Sequence, residues 1–342
     1  MSKKNSSVNL KNGFKEFKDL SNIFLNFKNK IDNLNKKNLL VAVSGGPDSL
    51  ALTALAKAYS HFRKINLHYV LLNHNIRKNS AQEAKIVKDL LKREKINLKI
   101  LLNKKKITKN IQAEARNARY KIISNYCKKR GINTILTAHN LEDQVETFFI
   151  RLSRGSGLKG LSSMRPLSKL NNKVYLYRPL LDVKKKYLIK ISKKIFGKYI
   201  KDPSNADSKY LRTKVRNLKK SLEKSGIKYE QIFRSIQNLS SSRVTLEQYI
   251  NNILNDLIKK NNKTIFVNLK KFKDLNDEMK IALINESIKK LRKNYYDLRS
   301  SKVVTLIKNL KKKDHKKSTL GGCIFFKKGE NLCLEIEKIK KF

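Results

Sequence analysis

The sequence predicts an α/β fold in which a parallel sheet is covered by helices on both faces. Two observations predict this class. Short apolar runs of the buried-strand type alternate with helical patterns between residues 39 and 154, which is typical of βαβ units. Hydrophobic residues make up 40% of the 342 residues, which is enough for a packed core and excludes a wholly disordered chain.

The predicted elements follow one another in a regular order. An amphipathic helix is predicted within residues 1–37, because Leu20, Ile23, Phe24, Phe27 and Ile31 recur at helical spacing. Strands are predicted at residues 39–43, 67–72, 98–102 and 134–138, and the helices that follow them at 49–59, 80–95, 111–130 and 142–154. Glycines and prolines indicate loops over residues 155–180, before a helix at 184–196 and a turn at 202–205.

The rest of the chain has a different pattern. After about residue 225 it is mostly helical and ends in a predicted hairpin formed by residues 319–326 and 332–337. A length of 342 residues fits about two domains. We therefore divide the sequence into a helical lead-in (1–37), a catalytic domain (38–225) and a basic C-terminal region (226–342).

The net charge indicates an anionic partner. Lys and Arg number 79 and Asp and Glu 27, which gives +52, and nucleic acid is the first candidate for such a partner. Lys, Asn and Ile are abundant throughout, as the codon bias of an AT-rich genome would also produce. The charge alone leaves both explanations open. Separately, the sequence does not determine the oligomeric state.

The apolar content and the cysteines bear on the compartment. No run of 18 apolar residues is present, and the first twelve residues are polar, so neither a membrane span nor a secretory signal is expected. Three cysteines without a CxxC pair indicate a reducing, cytoplasmic location. Cys127 is interpreted as a packing residue within a helix. A symmetric register of the hairpin would bring Cys323 and Cys333 face to face, although small apolar packing is the better supported role for both in a reducing compartment.

A glycine-containing loop is the first candidate site. The loop Ser44-Gly45-Gly46-Pro47-Asp48-Ser49 follows the first strand and opens the first helix. Glycines permit a tight turn and a close approach to a ligand, and the amides at a helix N-terminus bind phosphate. The lysine that grips the β- and γ-phosphates in a Walker A loop is absent.

Charged residues downstream form the second candidate site. Asp143 and Glu146 lie three residues apart, hence on one helix face, where two carboxylates suit an ammonium group or Mg²⁺. His139 is expected at the C-terminal edge of the sheet, where such folds bind ligands, although a purely structural histidine is nearly as well supported, and for His74 it is better supported. Arg116 and Arg119 share a helix face and could reach phosphate, although a surface salt bridge is equally well supported for each. Arg212 and Arg216, one helical turn apart, could contact RNA or the nucleotide.

An ordered series of motifs carries a resemblance to a known family. The loop at 44–49 is similar to the pyrophosphate loop of the N-type ATP pyrophosphatases, whose fold is Rossmann-like. Further segments resemble the tRNA(Ile)-lysidine synthase family, with Asn73, Asn75 and Glu142 departing from its usual residues. These segments, in chain order, are NHNIR (73–77), ARNARY (115–120), AHNLEDQVET (138–147), RGSGLKGL (154–161), RPLL (178–181) and DPSN (202–205) with Arg212 and Arg216.

The resemblance implies a reaction and a set of roles. It implies a carbon–nitrogen ligase that uses ATP and Mg²⁺ to join L-lysine to C2 of the wobble cytidine of tRNA(Ile) with a CAU anticodon. It implies three roles. Nucleotide binding falls to the loop residues Ser44, Gly45, Gly46, Pro47, Asp48 and Ser49. Catalysis falls to Asp48, Arg116, Asp143 and Glu146, and substrate binding to His139, Asp143, Glu146 and Arg212. The basic region 226–342 would hold the tRNA body through phosphate contacts.

Two alternatives remain open at this point. The first is a tRNA thiolation enzyme of the same superfamily, although such enzymes need cysteines and only Cys127 lies near a motif. The second is a nucleotide-binding RNA adaptor that has lost catalysis, against which the intact loop and the Asp143–Glu146 pair argue. Lysine-dependent pyrophosphate release would separate all three.

Overall fold

The chain forms two compact units, Met1–Ser240 and Ser241–Phe342. The computed structural model describes residues 18–76, 79–104, 111–171, 173–200, 209, 211–261, 263–292, 298, 300–311 and 317–337. The division falls inside one helix, Tyr229–Leu257. The domain boundary that the sequence predicts near residue 225 therefore remains a prediction. Whether the residues before it fold on their own can be tested with a shortened protein.

The first unit alternates strands and helices as the sequence predicts. Its strands are β1 (Asn38–Val43), β2 (Asn66–Asn73), β3 (Leu98–Leu102), β4 (Thr134–Leu136), β5 (Leu167–Lys169) and β6 (Tyr175–Tyr177). Its helices are α1 (Lys18–Leu34), α2 (Pro47–Tyr59), α3 (Ser80–Arg93), α4 (Ile111–Lys129), α5 (Leu141–Leu152), α6 (Leu158–Leu161), α7 (Lys185–Phe196), α8 (Leu211–Asn217) and α9 (Lys219–Lys224). The helix α10 (Tyr229–Leu257) begins in this unit.

The sheet of the first unit has the order β3-β2-β1-β4-β6-β5. All neighbouring pairs are parallel except β5 and β6, which pair antiparallel. The sequence places this last hairpin in a loop region, because β5 is three residues long, mostly exposed and without a clear apolar alternation. The parallel sheet itself is confirmed.

Helices cover both faces of this sheet. Leu39 and Val41 of β1 pack on one face against α1, α2, α3 and α7, whereas Leu40 faces the other side and packs with Ile123 and Cys127 of α4. This alternation follows from the period of two in a strand. The amphipathic lead-in helix is confirmed where it is described, since Leu20, Phe27 and Ile31 are buried, and the packing role of Cys127 is confirmed as well.

The second unit combines helices with a five-stranded antiparallel sheet of order β7-β8-β11-β10-β9. Its strands are β7 (Ile258–Asn261), β8 (Thr264–Asn268), β9 (Lys317–Leu320), β10 (Cys323–Lys328) and β11 (Asn331–Ile336), and its further helices are α11 (Leu269–Asp274), α12 (Asp277–Leu291) and α13 (Ser300–Lys311). The terminal hairpin is confirmed. The single strand predicted at 319–326 is divided by a turn at Gly321-Gly322, where both glycines have positive φ.

The register of this hairpin is not the symmetric one that would pair its cysteines. The turn falls at Gly329-Glu330, so Cys323 lies opposite Ile336 and Cys333 lies opposite Phe326. The suggestion that Cys323 and Cys333 face each other is therefore wrong. Both thiols are free and buried in the second unit, where they act as small apolar side chains.

Candidate active site

The candidate site lies at the C-terminal edge of the parallel sheet. Five parallel strands end there. Candidate residues follow four of them: Ser44 directly after β1, His74 directly after β2, His139 three residues after β4 and Arg178 directly after β6. A hydrogen bond of 2.9 Å from Thr137 N to Tyr177 O joins the ends of β4 and β6. The topology therefore brings to one edge the segments that the sequence analysis selected from distant parts of the chain.

The glycine loop has a conformation that requires glycine at one position. Gly45 has φ +83°, and a Cβ at this position would lie 2.5 Å from Cγ2 of Val87. The backbone amide of Ile200 donates to Gly45 O over 2.9 Å. This packing on both sides holds the loop tightly against the body of the unit.

The loop leads directly into α2. Gly46 is the N-cap, and no side chain caps the helix within the described ranges, with Pro47 at its first position. Ser49 Oγ accepts from Ser44 N at 3.1 Å and donates to Gly46 O at 3.0 Å, which closes the loop on itself. The uncapped first turn suits an anion such as a phosphate group.

Asp48 is a partly buried carboxylate at this helix start. Burial is the largest cause that raises its pKa, to about 6, while Lys185 opposes the shift with Nζ 3.8 Å from Oδ2. Asp143 and Glu142 raise the pKa further by charge repulsion. Asp48 Oδ1 is buried without a hydrogen-bond partner in the described part of the chain. An unsatisfied carboxylate oxygen beside a phosphate-binding loop fits one ligand of Mg²⁺, which binds few protein carboxylates and takes the rest of its ligands from phosphates and water.

The acidic pair on α5 is held by two arginines of α8. Glu146 is 2% exposed and accepts from Arg212 Nε at 2.7 Å and from Arg216 Nε at 2.8 Å. Asp143 Oδ1 accepts from Arg212 Nη2 at 2.8 Å. The carboxylates raise the pKa of both guanidinium groups, against the desolvation that lowers it. The two carboxylates lie together as the sequence predicts, and they already bind nitrogen cations.

Asp143 has a second task within α5. Its Oδ2 accepts from Asn140 N at 3.1 Å, and Asn140 Oδ1 accepts from Asp143 N at 3.0 Å. This capping box satisfies two amides at the helix start. It fixes the position of the Asp143 carboxylate before any ligand binds.

His139 and His74 are held neutral among arginines. Burial lowers the pKa of His139 to about 3, helped by the positive charges of Arg178, Arg212, Arg116 and Arg119. Burial and Arg119 likewise lower the pKa of His74 to about 4. Near neutral pH both imidazoles are uncharged and can donate or accept a hydrogen bond.

The structure also places the remaining candidates. Arg116 is exposed, with its guanidinium 5.1 Å from the centre of the Tyr120 ring. Sequence reasoning gave no role to Lys185 or Arg178, although Arg178 opens one of the family-like segments and directly follows a strand. Lys185 carried no local signal. Arg77 and the segment 202–205 lie outside the described residues.

This loop, the partly buried carboxylate of Asp48 within it and the sheet order define a class of nucleotide-binding enzyme. The model of the PP-loop domain family matches residues 20–222 of the chain, which contain the whole site. The chain is therefore a PP-loop enzyme that uses ATP.

Curated relatives identify the family within this class. The tRNA(Ile)-lysidine synthase of Wolbachia pipientis wMel is 35% identical over 321 residues, covering 92% of this chain and 74% of the relative. The synthase of Rickettsia typhi is 31% identical, covering 92% and 73%. That of Orientia tsutsugamushi is 41% identical over 206 residues, covering 59% and 46%. The chain belongs to the tRNA(Ile)-lysidine synthase family, ATP-dependent ligases that form lysidine in tRNA(Ile).

A solved structure supports the fold. A U34-tRNA thiolase from Methanococcus maripaludis superposes with a TM-score of 0.55 at 19% identity, covering 65% of this chain and 80% of its own. At that identity the likeness shows a shared fold and nothing about the reaction. No helix in the described ranges is long and apolar enough to cross a membrane.

Proposed function

We propose that the enzyme joins the ε-amine of free L-lysine to C2 of the wobble cytidine in the CAU anticodon of tRNA(Ile), with release of AMP and pyrophosphate. The observation that supports this most is the Asp143–Glu146 pair beside the nucleotide loop. Its two carboxylates already accept hydrogen bonds from three guanidinium nitrogens at 2.7–2.8 Å. Such a site is suited to the cationic amine of a lysine substrate.

The first step of the proposed reaction is adenylation. The loop 44–49 and the first turn of α2 hold the phosphates of ATP. Asp48 would bind Mg²⁺, which supplies charge neutralisation at the phosphates when bound. The O2 atom of the cytidine attacks the α-phosphorus and the bond to the β-phosphate oxygen breaks, so that pyrophosphate leaves. Adenylation turns a poor leaving oxygen into a good one.

The second step is substitution by lysine. The incoming ammonium group exchanges with Arg212 at Asp143, since Arg212 is half-exposed and can move outward while Arg216 keeps its bond to Glu146. The ammonium group first loses one proton to water. The lone pair of the resulting amine forms the bond to C2, the C2–O2 bond breaks with its electrons going to AMP, and a second proton then passes from the nitrogen to water. Desolvation in the cleft lowers the pKa of the amine and favours that deprotonation.

The variant Asp143→Asn tests this division of roles. We expect the KM for lysine to rise at least tenfold and the second step to slow more than the first, because a desolvated charge contact is lost on one side. Adenylated tRNA should then accumulate, as measured by quench-flow and mass spectrometry of the nucleosides. Asp89→Asn, an exposed carboxylate on α3, is the matched control. If Asp143→Asn instead blocks pyrophosphate release, Asp143 binds the nucleotide or the metal.

The observations favour this proposal over thiolation. Thiolation needs a reactive thiol, whereas Cys127 is fully buried and burial raises its pKa to about 12, which makes it unreactive. No group of three His, Cys, Asp or Glu side chains suited to a metal occurs among the described residues.

We propose also that the basic region 226–342 holds the tRNA body. Lysine-dependent pyrophosphate release with the tRNA transcript separates the ligase from an inactive adaptor.

A further inference from the structure

Arg178 is a buried guanidinium group beside the candidate active site. It directly follows β6, and the residue is 7% exposed. Its Nη1 donates to Arg165 O and to Ser168 Oγ, both over 2.9 Å. Its Nε is also buried, and within the described ranges it has no hydrogen-bond partner. One donor of a buried cation is therefore unsatisfied.

The charges around Arg178 are positive. Burial lowers the pKa of Arg178, and the positive charges of Arg116 and Arg151 lower it further, whereas Tyr120 raises it. In the part of the chain that the structure describes, its hydrogen bonds go to a carbonyl and a hydroxyl oxygen rather than to a carboxylate. A buried charge without a counter-charge is costly, so this arrangement is suited to an anion supplied by a ligand.

His139 follows β4 at the same edge of the sheet as Arg178. Thr137 N donates to Tyr177 O at 2.9 Å, which holds the two strand ends side by side. The Nδ1 atom of His139 lies 3.0 Å from Thr137 Oγ1, which fixes the ring. Arg178 exerts the largest charge effect on His139. A neutral imidazole and a guanidinium donor on adjacent strand ends can both donate to the oxygens of one small anion.

We propose that Arg178, with His139, forms a subsite for one phosphate group of a substrate. This proposal rests on the proposed use of tRNA and ATP. The phosphate can belong to the tRNA backbone beside the target cytidine or to ATP. Since β6 is two strands away from β1, at about 4.8 Å per strand the subsite is about 10 Å from the glycine loop. That separation favours the tRNA backbone as the source.

Two variants of the full-length enzyme test the subsite. Arg178→Gln should weaken binding of the tRNA transcript by about 10- to 100-fold, with the salt slope reduced by about one phosphate contact, and should leave ATP affinity within twofold. Arg178→Lys, which keeps the charge, should recover most of the loss. A loss confined to ATP affinity would support the subsite with ATP as the source. Unchanged affinities for both substrates would overturn the proposal.

A control separates anion binding from support of the β5–β6 hairpin. Ser168→Ala removes one hydrogen bond to Arg178 without removing its charge. If Ser168→Ala lowers tRNA affinity as much as Arg178→Gln, Arg178 only supports the hairpin and the subsite is wrong. Lysidine formation by the wild-type enzyme is measured in parallel, so that a failure of the proposed function appears in the wild type itself.

A measurement on the wild-type protein covers the case in which Arg178→Gln fails to fold. Inorganic phosphate is titrated while a non-hydrolysable ATP analogue occupies the loop, and the histidine resonances are followed by NMR. His139→Asn assigns the relevant signal. We expect phosphate to shift the His139 resonance in a saturable way. A His139 signal that does not respond would overturn the proposal.

Discussion

At the scale of single residues, the candidate site contains charges that the fold keeps at a cost. Asp48 is partly buried, with one buried oxygen unsatisfied among the described residues, and His139 is held neutral by burial among arginines. Strongly shifted pKa values of this kind concentrate where groups serve chemistry rather than folding. The desolvated carboxylate of Asp48 lowers the stability of the folded state, and it is placed where it can bind a cation.

The Asp48→Asn variant should therefore be more stable than the wild type at neutral pH. Burial raises the pKa of Asp48 from 3.8 to about 6, so its contribution to stability is present below pH 3.8 and is lost as pH rises through 6. Removing the charge should raise the free energy of unfolding by about 1–3 kcal/mol at pH 7 and change it little at pH 4. Urea unfolding without ATP or Mg²⁺ measures this difference.

Two outcomes would contradict the account of Asp48. A gain that is equal at pH 4 and pH 7 would mean that charge is not its cause. A loss of stability at pH 7 would mean that the 3.8 Å contact with Lys185 outweighs the desolvation. Activity should be lost in the same variant, because the carboxylate that would bind Mg²⁺ is absent.

At the scale of elements, the glycine loop and the helix that follows it form one structural unit. The positive φ of Gly45 turns the chain, and the open first turn of α2 then faces the loop. The capping box of Asn140 and Asp143 plays a comparable part in α5. In both cases a local backbone requirement and a ligand-facing group occur within a few residues, which is why sequence reasoning located them.

Gly45→Ala and Gly46→Ala form a matched pair that tests the loop. Alanine at Gly45 must adopt φ +83° and place Cβ 2.5 Å from Val87 Cγ2, so we expect a loss of about 2 kcal/mol or more in stability and at least tenfold weaker ATP binding. At Gly46 the backbone is extended and the nearest atom is Ser44 Oγ at 3.7 Å. The stability of Gly46→Ala should fall by no more than about 1 kcal/mol, because alanine is a poorer N-cap than glycine but meets no steric conflict here.

Thermal unfolding and calorimetric titration with ATP measure both variants. Equal destabilisation by the two substitutions would show that the left-handed conformation and the Val87 contact do not restrain the loop. A stable Gly45→Ala variant that has lost ATP binding would mean that the glycine is needed for ligand approach alone.

At the scale of the whole molecule, the charge of +52 needs a test that separates an RNA footprint from codon bias. A shortened protein for this test must retain Tyr229, Ile232 and Ile236, which pack with Leu141 and Val145 at the start of α5. A truncation at residue 225 would remove part of the core beneath the catalytic helix. The fragment 1–240 is therefore the appropriate one to compare with the full chain.

We expect the fragment 1–240 to stay folded by circular dichroism and to bind ATP within twofold of the full chain. If the region beyond it holds the tRNA body, its removal should eliminate most of the salt dependence of tRNA binding, because each neutralised phosphate releases condensed counterions. Codon bias predicts a decrease only in proportion to the lysines removed. The slope of log Kd against log salt for both proteins distinguishes the two.

Much of the fold was predictable because its signals are local. The alternation of apolar runs with helical patterns predicted four of the six strands of the first sheet, and Ser44–Ser49 indicated the nucleotide loop. The short strands β5 and β6 and the turn at Gly321-Gly322 were missed, since strands of three or four residues with little burial carry too weak an apolar alternation. The Cys323–Cys333 hypothesis failed for a related reason, because the position of the turn shifts the register.

The sequence by itself determined the order of the elements, the phosphate loop, the family and the spacing of Asp143 and Glu146 on one helix face. Only the tertiary structure decided that Arg212, 69 residues away, pairs with Asp143, that Asp48 is desolvated, and that Arg178 is buried at the edge of the sheet where His139 follows β4. The physical reason is that backbone conformation depends on neighbours within a few residues, whereas burial and ion pairing depend on which distant segments the packed sheet brings to the same edge.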